Sequence, residues 1–150
     1  LIMPTRRNVV FSVAILILAA LLANRAVQQH RAQNNLSALQ QRVDEAFRTQ
    51  LSLAASSLGT DFDEDESNFN ACVASVSAAA ALAGQTSFES RNDVLDVALD
   101  RFGKILLNPV NRQAVTQNAP TLRALFVKLS ADPADADTTR QLSAFTGNVR

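Results

Sequence analysis

The spacing of apolar residues changes character twice before the first internal glycine. Residues 9–23 are apolar except for Ser12, show no period, and are bounded by Arg6 and Arg7 before and Arg25 after. Residues 28–35 are polar apart from Ala32. A period then begins: Leu36, Leu39, Val43, Phe47, Leu51, Ala54 and Leu58 follow one another by three or four positions. Steps of that size put all seven on one face of a helix. Neither glycine nor proline interrupts the chain between Pro4 and Gly59. The pattern therefore predicts one continuous helix, or two abutting ones, roughly 80 Å long if unbroken at 1.5 Å per residue. It leaves a membrane as an apolar rod and enters water as a one-sided one.

The same reading continues to the end of the chain. Gly59 is expected to end the first soluble helix as a C′ glycine. A second helix is predicted from Ser67 or Asn68 to Leu82, stopped by Gly84, with Phe69, Val73, Val76 and Ala80 inward and Cys72 beside them. Ser75, Ser77 and residues 78–81 are small, so a neighbouring helix can approach closely. Thr86 and Glu89 have the spacing of a capping box. They predict the opening of a third helix carrying Val94, Leu95, Ala98, Phe102, Ile105 and Leu106 to an end at Asn108 and Pro109. Gly103 inside it marks a close crossing or a weak point. Asn118 and Pro120 predict the start of a fourth helix with Leu122, Leu125, Phe126 and Leu129 inward. Asp132 and Pro133 repeat that signal for a fifth, with Thr138, Leu142, Phe145 and Val149 inward. The expected fold is all-α: a single transmembrane helix continuing into an antiparallel up-and-down bundle of four to five helices. Its divisions are residues 1–25 as membrane anchor, 26–35 as polar stalk and 36–150 as bundle.

Composition agrees with helices and narrows the function. Alanine and leucine dominate the 47% apolar fraction, with eight Phe, no Trp or Tyr, and only four Gly and four Pro in 150 residues. Fourteen basic residues balance fourteen acidic ones. There is no overall positive field for nucleic acid and no aromatic platform for bases, so nucleic-acid binding is not expected. Between Arg7 and Arg25 lie 17 residues, at the short end of what spans a hydrocarbon core, with arginines able to snorkel at both ends. A signal peptide has a similar start, but no small-x-small cleavage pair follows this run, which favours an uncleaved anchor. Residues 9–23 are therefore expected to contact the lipid bilayer. The basic residues on the two sides nearly cancel, so sidedness is not set.

Few residues offer chemistry. Asp61, Asp63 and Asp65 match the first three acidic positions of a calcium loop, but Glu66 stands where that loop needs glycine, and Cys72 where it needs a bidentate glutamate. A solvated turn, with acids favouring the next helix's dipole, is the simpler reading of residues 61–66. Cys72 is the only cysteine and has neither a disulfide partner nor a zinc-site companion. The only histidine, His30, lies in the stalk without a catalytic partner. The sequence presents no nucleophile with a base, no paired acids and no phosphate loop, so no catalytic, cofactor-binding or metal residue is assigned and an enzyme is not expected.

An N-terminal apolar span followed by Asn35, Leu36, Leu39, Arg42, Val43, Ala46, Phe47 and Leu51 resembles the opening of LemA-family proteins. Leu122, Leu125, Leu129 and the closing residues 145–149 are loosely similar to that family's C-terminal part. In place of the family's Ile-Pro-Asn-Leu-type segment the chain has Ala54–Leu58. The resemblance implies a single-pass protein of the bacterial inner membrane with a helical bundle behind its anchor, and it carries over no catalytic residue. The expected role is a structural or accessory subunit, or scaffold, that packs against other membrane proteins or copies of itself. The alternative is an extracytoplasmic sensor or ligand-binding bundle, which expects a polar-lined pocket between helices. Leu1 and Ile2 precede Met3, and the last helical pattern reaches Arg150, so the sequence leaves room for further chain at either end.

Overall fold

The computed structural model of the chain describes residues 34–60, 62 and 66–149. These residues fall in two units that divide between Leu39 and Gln40, and the bundle described below is the second. The described residues are all-α, with five helices and no strand. Helix α1 covers residues 34–57. Helix α2 covers Glu66–Ala83, α3 Leu95–Leu107, α4 Arg112–Ala131 and α5 Ala136–Asn148, with a short 3-10 turn at Pro109–Asn111. No helix among the described residues is long and apolar enough to cross a membrane, and the expected anchor at residues 9–23 lies outside them.

Helix α3 lies at the centre of the bundle, packing on α2 and on α5, and α5 in turn packs on α4. Phe102 is fully buried there, its ring 5.4 Å from Phe126 of α4 and 6.1 Å from Phe145 of α5. Phe47 and Leu51 of α1 are equally buried, and Phe47 lies 6.3 Å from Phe88 in the segment that joins α2 to α3. Leu122, Phe126 and Leu129 fill α4's inward face as the spacing predicts. Thr138 and Leu142 do so for α5, with Phe145 and Val149 half-buried beside them.

Several expectations change. Leu36 and Leu39, assigned to the apolar face of α1, are 66% and 56% exposed, whereas Phe47 to Leu58 on the same face are buried. The inward face of α2 keeps Phe69 and Val76 but exchanges Val73 and Ala80 for their neighbours Cys72 and Ala79. Phe69, Cys72, Val76, Ala79 and Ala83 are buried, while Val73 and Ala80 flank them. Ser75 is buried as well.

The capping box does not form. The Thr86 hydroxyl donates to the Ala83 carbonyl at 2.8 Å and so finishes α2 instead of starting α3. The next hydroxyl and amide are drawn into a tertiary contact: Ser87 Oγ and N donate to the Asp44 carboxylate at 2.6 and 2.8 Å. Phe88 then turns inward, six more residues pass, and α3 begins only at Leu95. Val94, expected inward, is 46% exposed as a result.

Helix α4 begins at Arg112, two turns before the expected start at Asn118 and Pro120, and Pro120 sits inside it. An interior proline costs about 3 kcal/mol through its missing N–H and ring clash. Burial of Val115, Ala119, Leu122, Phe126 and Leu129 on one uninterrupted stripe outweighs that cost. The effective start signal is Asn108, whose side chain accepts from the Val110 amide at 3.1 Å and launches the turn that runs into α4. For α5 the cap is Asp135, three residues beyond the expected Asp132: it accepts from the amides of Asp137 and Thr138. Gly59 and Gly84 do stand where helices stop, but no glycine among the described residues has positive φ, so neither is a left-handed C′ cap. At Gly59 a Cβ would lie 3.0 Å from Nε of the Arg123 side chain, which would have to shift to admit it.

Candidate functional site

Of the residues singled out for chemistry, Glu66 and Cys72 are among those described. His30 and Asp61, Asp63 and Asp65 lie outside the described residues. Glu66 is the first residue of α2, exposed, with Arg112 Nη1 3.7 Å from its carboxylate. Cys72 is fully buried between α2 and its neighbours, and burial pushes its thiol up to about 12. A thiol so protonated at neutral pH is a packing group, not a nucleophile. Among the described residues no cluster of three or more His, Cys, Asp or Glu side chains is placed to hold a metal ion.

Two polar arrangements organise the bundle. Asn92, 2% exposed, donates from Nδ2 to the Pro133 carbonyl at 2.9 Å and to Thr139 Oγ1 at 2.8 Å. It thereby ties the α2–α3 connection to the α4–α5 connection and to α5. Arg112 works at the opposite side of α3: its guanidinium lies 4.7 Å from the Phe69 ring centroid and donates to the Phe62 carbonyl at 2.9 Å. These contacts fasten the turn before α2 to the start of α4. A cleft of about 250 Å³ opens beside Arg112, with Phe69, Val73 and Leu106 in its wall and Glu66 and Asn70 at its edge.

An open groove of about 550 Å³ runs between α2 and α3. Ala80, Leu99 and Gly103 lie in it, and Val97 and Leu107, 44% and 66% exposed, stand along it. Sequence reasoning identified the small residues of α2 and the glycine of α3 as places of close approach. It missed the groove, because Val97 and Leu107 lie off the inward stripe and look like ordinary surface residues. It also missed Asn92 and Arg112, whose partners Pro133 and Phe62 are 41 and 50 positions away in the chain. What the described residues offer is apolar surface on helices, at Leu36 and Leu39 and along the α2–α3 groove, and no constellation suited to bond-breaking. No family model, no curated protein and no solved structure matches this chain.

Proposed function

We propose that this chain is a membrane-tethered, non-enzymatic helical-bundle protein that serves as an accessory or scaffold subunit. In this reading residues 9–23 form a single-pass anchor in a bacterial inner membrane, residues 26–35 a polar stalk, and the antiparallel bundle behind it presents helix faces to other membrane proteins or to copies of itself. Resemblance to the LemA family supports the same arrangement. One observation carries the role: Leu36 and Leu39 continue the apolar period of α1 yet are 66% and 56% exposed, while Phe47 and Leu51 on that period are fully buried. Leucines at two successive helical positions held in water are a docking edge by composition.

The test is recovery of the full chain in mild detergent, with the Leu36→Glu/Leu39→Glu variant alongside. The expected outcome is a membrane-fraction protein that resists carbonate extraction and co-purifies with a defined partner, and a variant that stays in the membrane with unchanged helicity but loses the partner. Release of the unaltered chain by carbonate defeats the anchor, and retention of the partner by the variant defeats the docking edge.

A second reading, the extracytoplasmic sensor, draws on the cleft beside Arg112. Its Phe69 wall with Arg112, Glu66 and Asn70 around it suits a small polar molecule with an apolar side. A bound small molecule released from the purified, denatured monomer, and absent from Arg112→Gln, is the result that favours this reading over a scaffold.

A further inference from the structure

The α2–α3 groove is open, and its chemistry is that of a surface meant to be covered. Its open face has Ser77 and Ala81 from α2, both exposed, and Val97 and Leu107 from α3. Between Glu66 and Glu89 the chain has no charged residue at all, so the α2 side of this face has nothing to solvate it strongly. A surface helix ordinarily keeps charge on its outer face. The α3 side does carry charge, and its order is informative: Asp96 and Asp100 come first along the groove and Lys104 last.

We infer that this groove is the contact between two copies of the chain, related by a two-fold axis that crosses α2 and α3 at right angles. Such an axis lays α2 on α2 and α3 on α3 of the second copy, each pair antiparallel. Reversing the direction of α3 brings Lys104 of one copy opposite Asp100 of the other, twice, with the centre between residues 100 and 104. Within each copy Asp100 and Lys104 already pair at 2.6 Å, so association joins two surface ion pairs into a ring of four alternating charges. A parallel arrangement would instead bring like charges of the two α3 helices together. The centre falls beside Gly103, which is buried and whose nearest neighbour across the helix pair is Val76, 3.8 Å from the position a Cβ would take. Ser77 follows Val76 in α2 and so lies close to the axis, facing its own counterpart. The uncharged face of α2 thus meets an identical uncharged face without repulsion, and Val97 and Leu107 exchange water for the second copy.

This inference deepens the scaffold reading by naming a partner, a second copy, but it uses only residues of α2 and α3 and not Leu36 or Leu39. The experiment is the mass of the full chain in mild detergent by light scattering, over a hundredfold range of concentration. A dimer is expected, weakened at least tenfold by Ala81→Glu and by Asp100→Lys, both at exposed positions, with helicity unchanged. The double exchange Asp100→Lys/Lys104→Asp restores the alternating ring and is expected to restore the dimer. Ser77→Cys is expected to give a disulfide-linked dimer under mild oxidation, whereas Ser52→Cys on the exposed side of α1 is not. A monomer throughout, or a dimer indifferent to Ala81→Glu and Asp100→Lys, overturns the inference. A dimer lost in Leu36→Glu/Leu39→Glu but kept in Ala81→Glu overturns it too, and in that case leaves the α1 docking edge standing.

Discussion

Helices α2 and α3 pack on each other, yet they are built on opposite plans. Helix α3 separates its faces: Leu95, Leu99, Phe102 and Leu106 are buried, while Asp100, Arg101 and Lys104 stand in water. Helix α2 does not separate anything beyond size. Its buried seam holds Cys72, Ser75 and Ala79, and its exposed side holds Ala71, Ala74, Ser77 and Ala81. The inner face of α3 buries bulk along its whole length, whereas that of α2 alternates Phe69 and Val76 with the small Cys72, Ser75 and Ala79. The outer face of α3 is fixed by solvation, whereas that of α2 is indifferent to water. A helix of the first kind specifies one orientation by itself, and a helix of the second kind needs its surroundings to do so.

The difference is sharpest under substitution. Removing bulk should break α3: Phe102→Ala takes away a fully buried ring that touches Phe126 and Phe145, and about 3–5 kcal/mol of stability should go with it, read from urea denaturation. Adding bulk should break α2. Ala79 is fully buried, and Ala79→Leu is expected to cost about 1–3 kcal/mol by overpacking. Ala74→Leu, one face round on the exposed side, should change monomer stability by less than about 0.5 kcal/mol. Equal losses from Ala79→Leu and Ala74→Leu would mean that α2 is not one-sided at all.

Where the two helices meet, Gly103 offers a gain. Its position is helical, its φ is ordinary, and a Cβ there would meet only Val76 Cγ1, at an unstrained 3.8 Å. Gly103→Ala should therefore raise stability by about 1 kcal/mol through helix propensity alone. A loss in its place would show that α2 and α3 are closer than ordinary contact.

The contrast also explains which parts of the fold were legible in the sequence. Helix α3's stripe was readable from Leu95 onward because bulk and charge alternate with a clear period. The inward face of α5 was readable for the same reason. On α2 the pattern gives Phe69 and Val76 correctly but prefers Val73 and Ala80 to Cys72 and Ala79, since a run of Ala, Ser and Val weighs nearly the same on any face. Helix starts failed where a distant residue competed for the capping group. Thr86 and Glu89 had the local pattern, but the Asp44 carboxylate, 43 positions away, captured Ser87. Pro120 marked a boundary by local rule, and the stripe from Val115 to Leu129 overrode it. The exposure of Leu36 and Leu39 was beyond reach, because a periodic stripe says which face is apolar and not how much of it finds a partner.

The Asp44 contact with Ser87, in the α2–α3 connection, makes the smallest of these effects and a directional one. Partial burial works to raise the pKa of Asp44, but the bonds from Ser87 Oγ and N and from Gln40, with the positive charge of Arg48, outweigh it and hold the carboxyl below its ordinary value. A depressed folded-state pKa means that the contribution is fully present above the unfolded-state value and fades as pH falls through the folded one. Acid below the ordinary carboxylate range, and not mild acid, should thus loosen the turn at Ser87. Asp44→Asn removes that acid dependence, and with partners this exposed the neutral-pH cost should stay below about 1 kcal/mol. Thermal melts of both forms from neutrality to acid make the comparison: the two curves should converge as Asp44 protonates. A constant gap across the range would mean that Asp44 acts through shape alone, and that Thr86 fails as a cap for a reason other than the charge beside it.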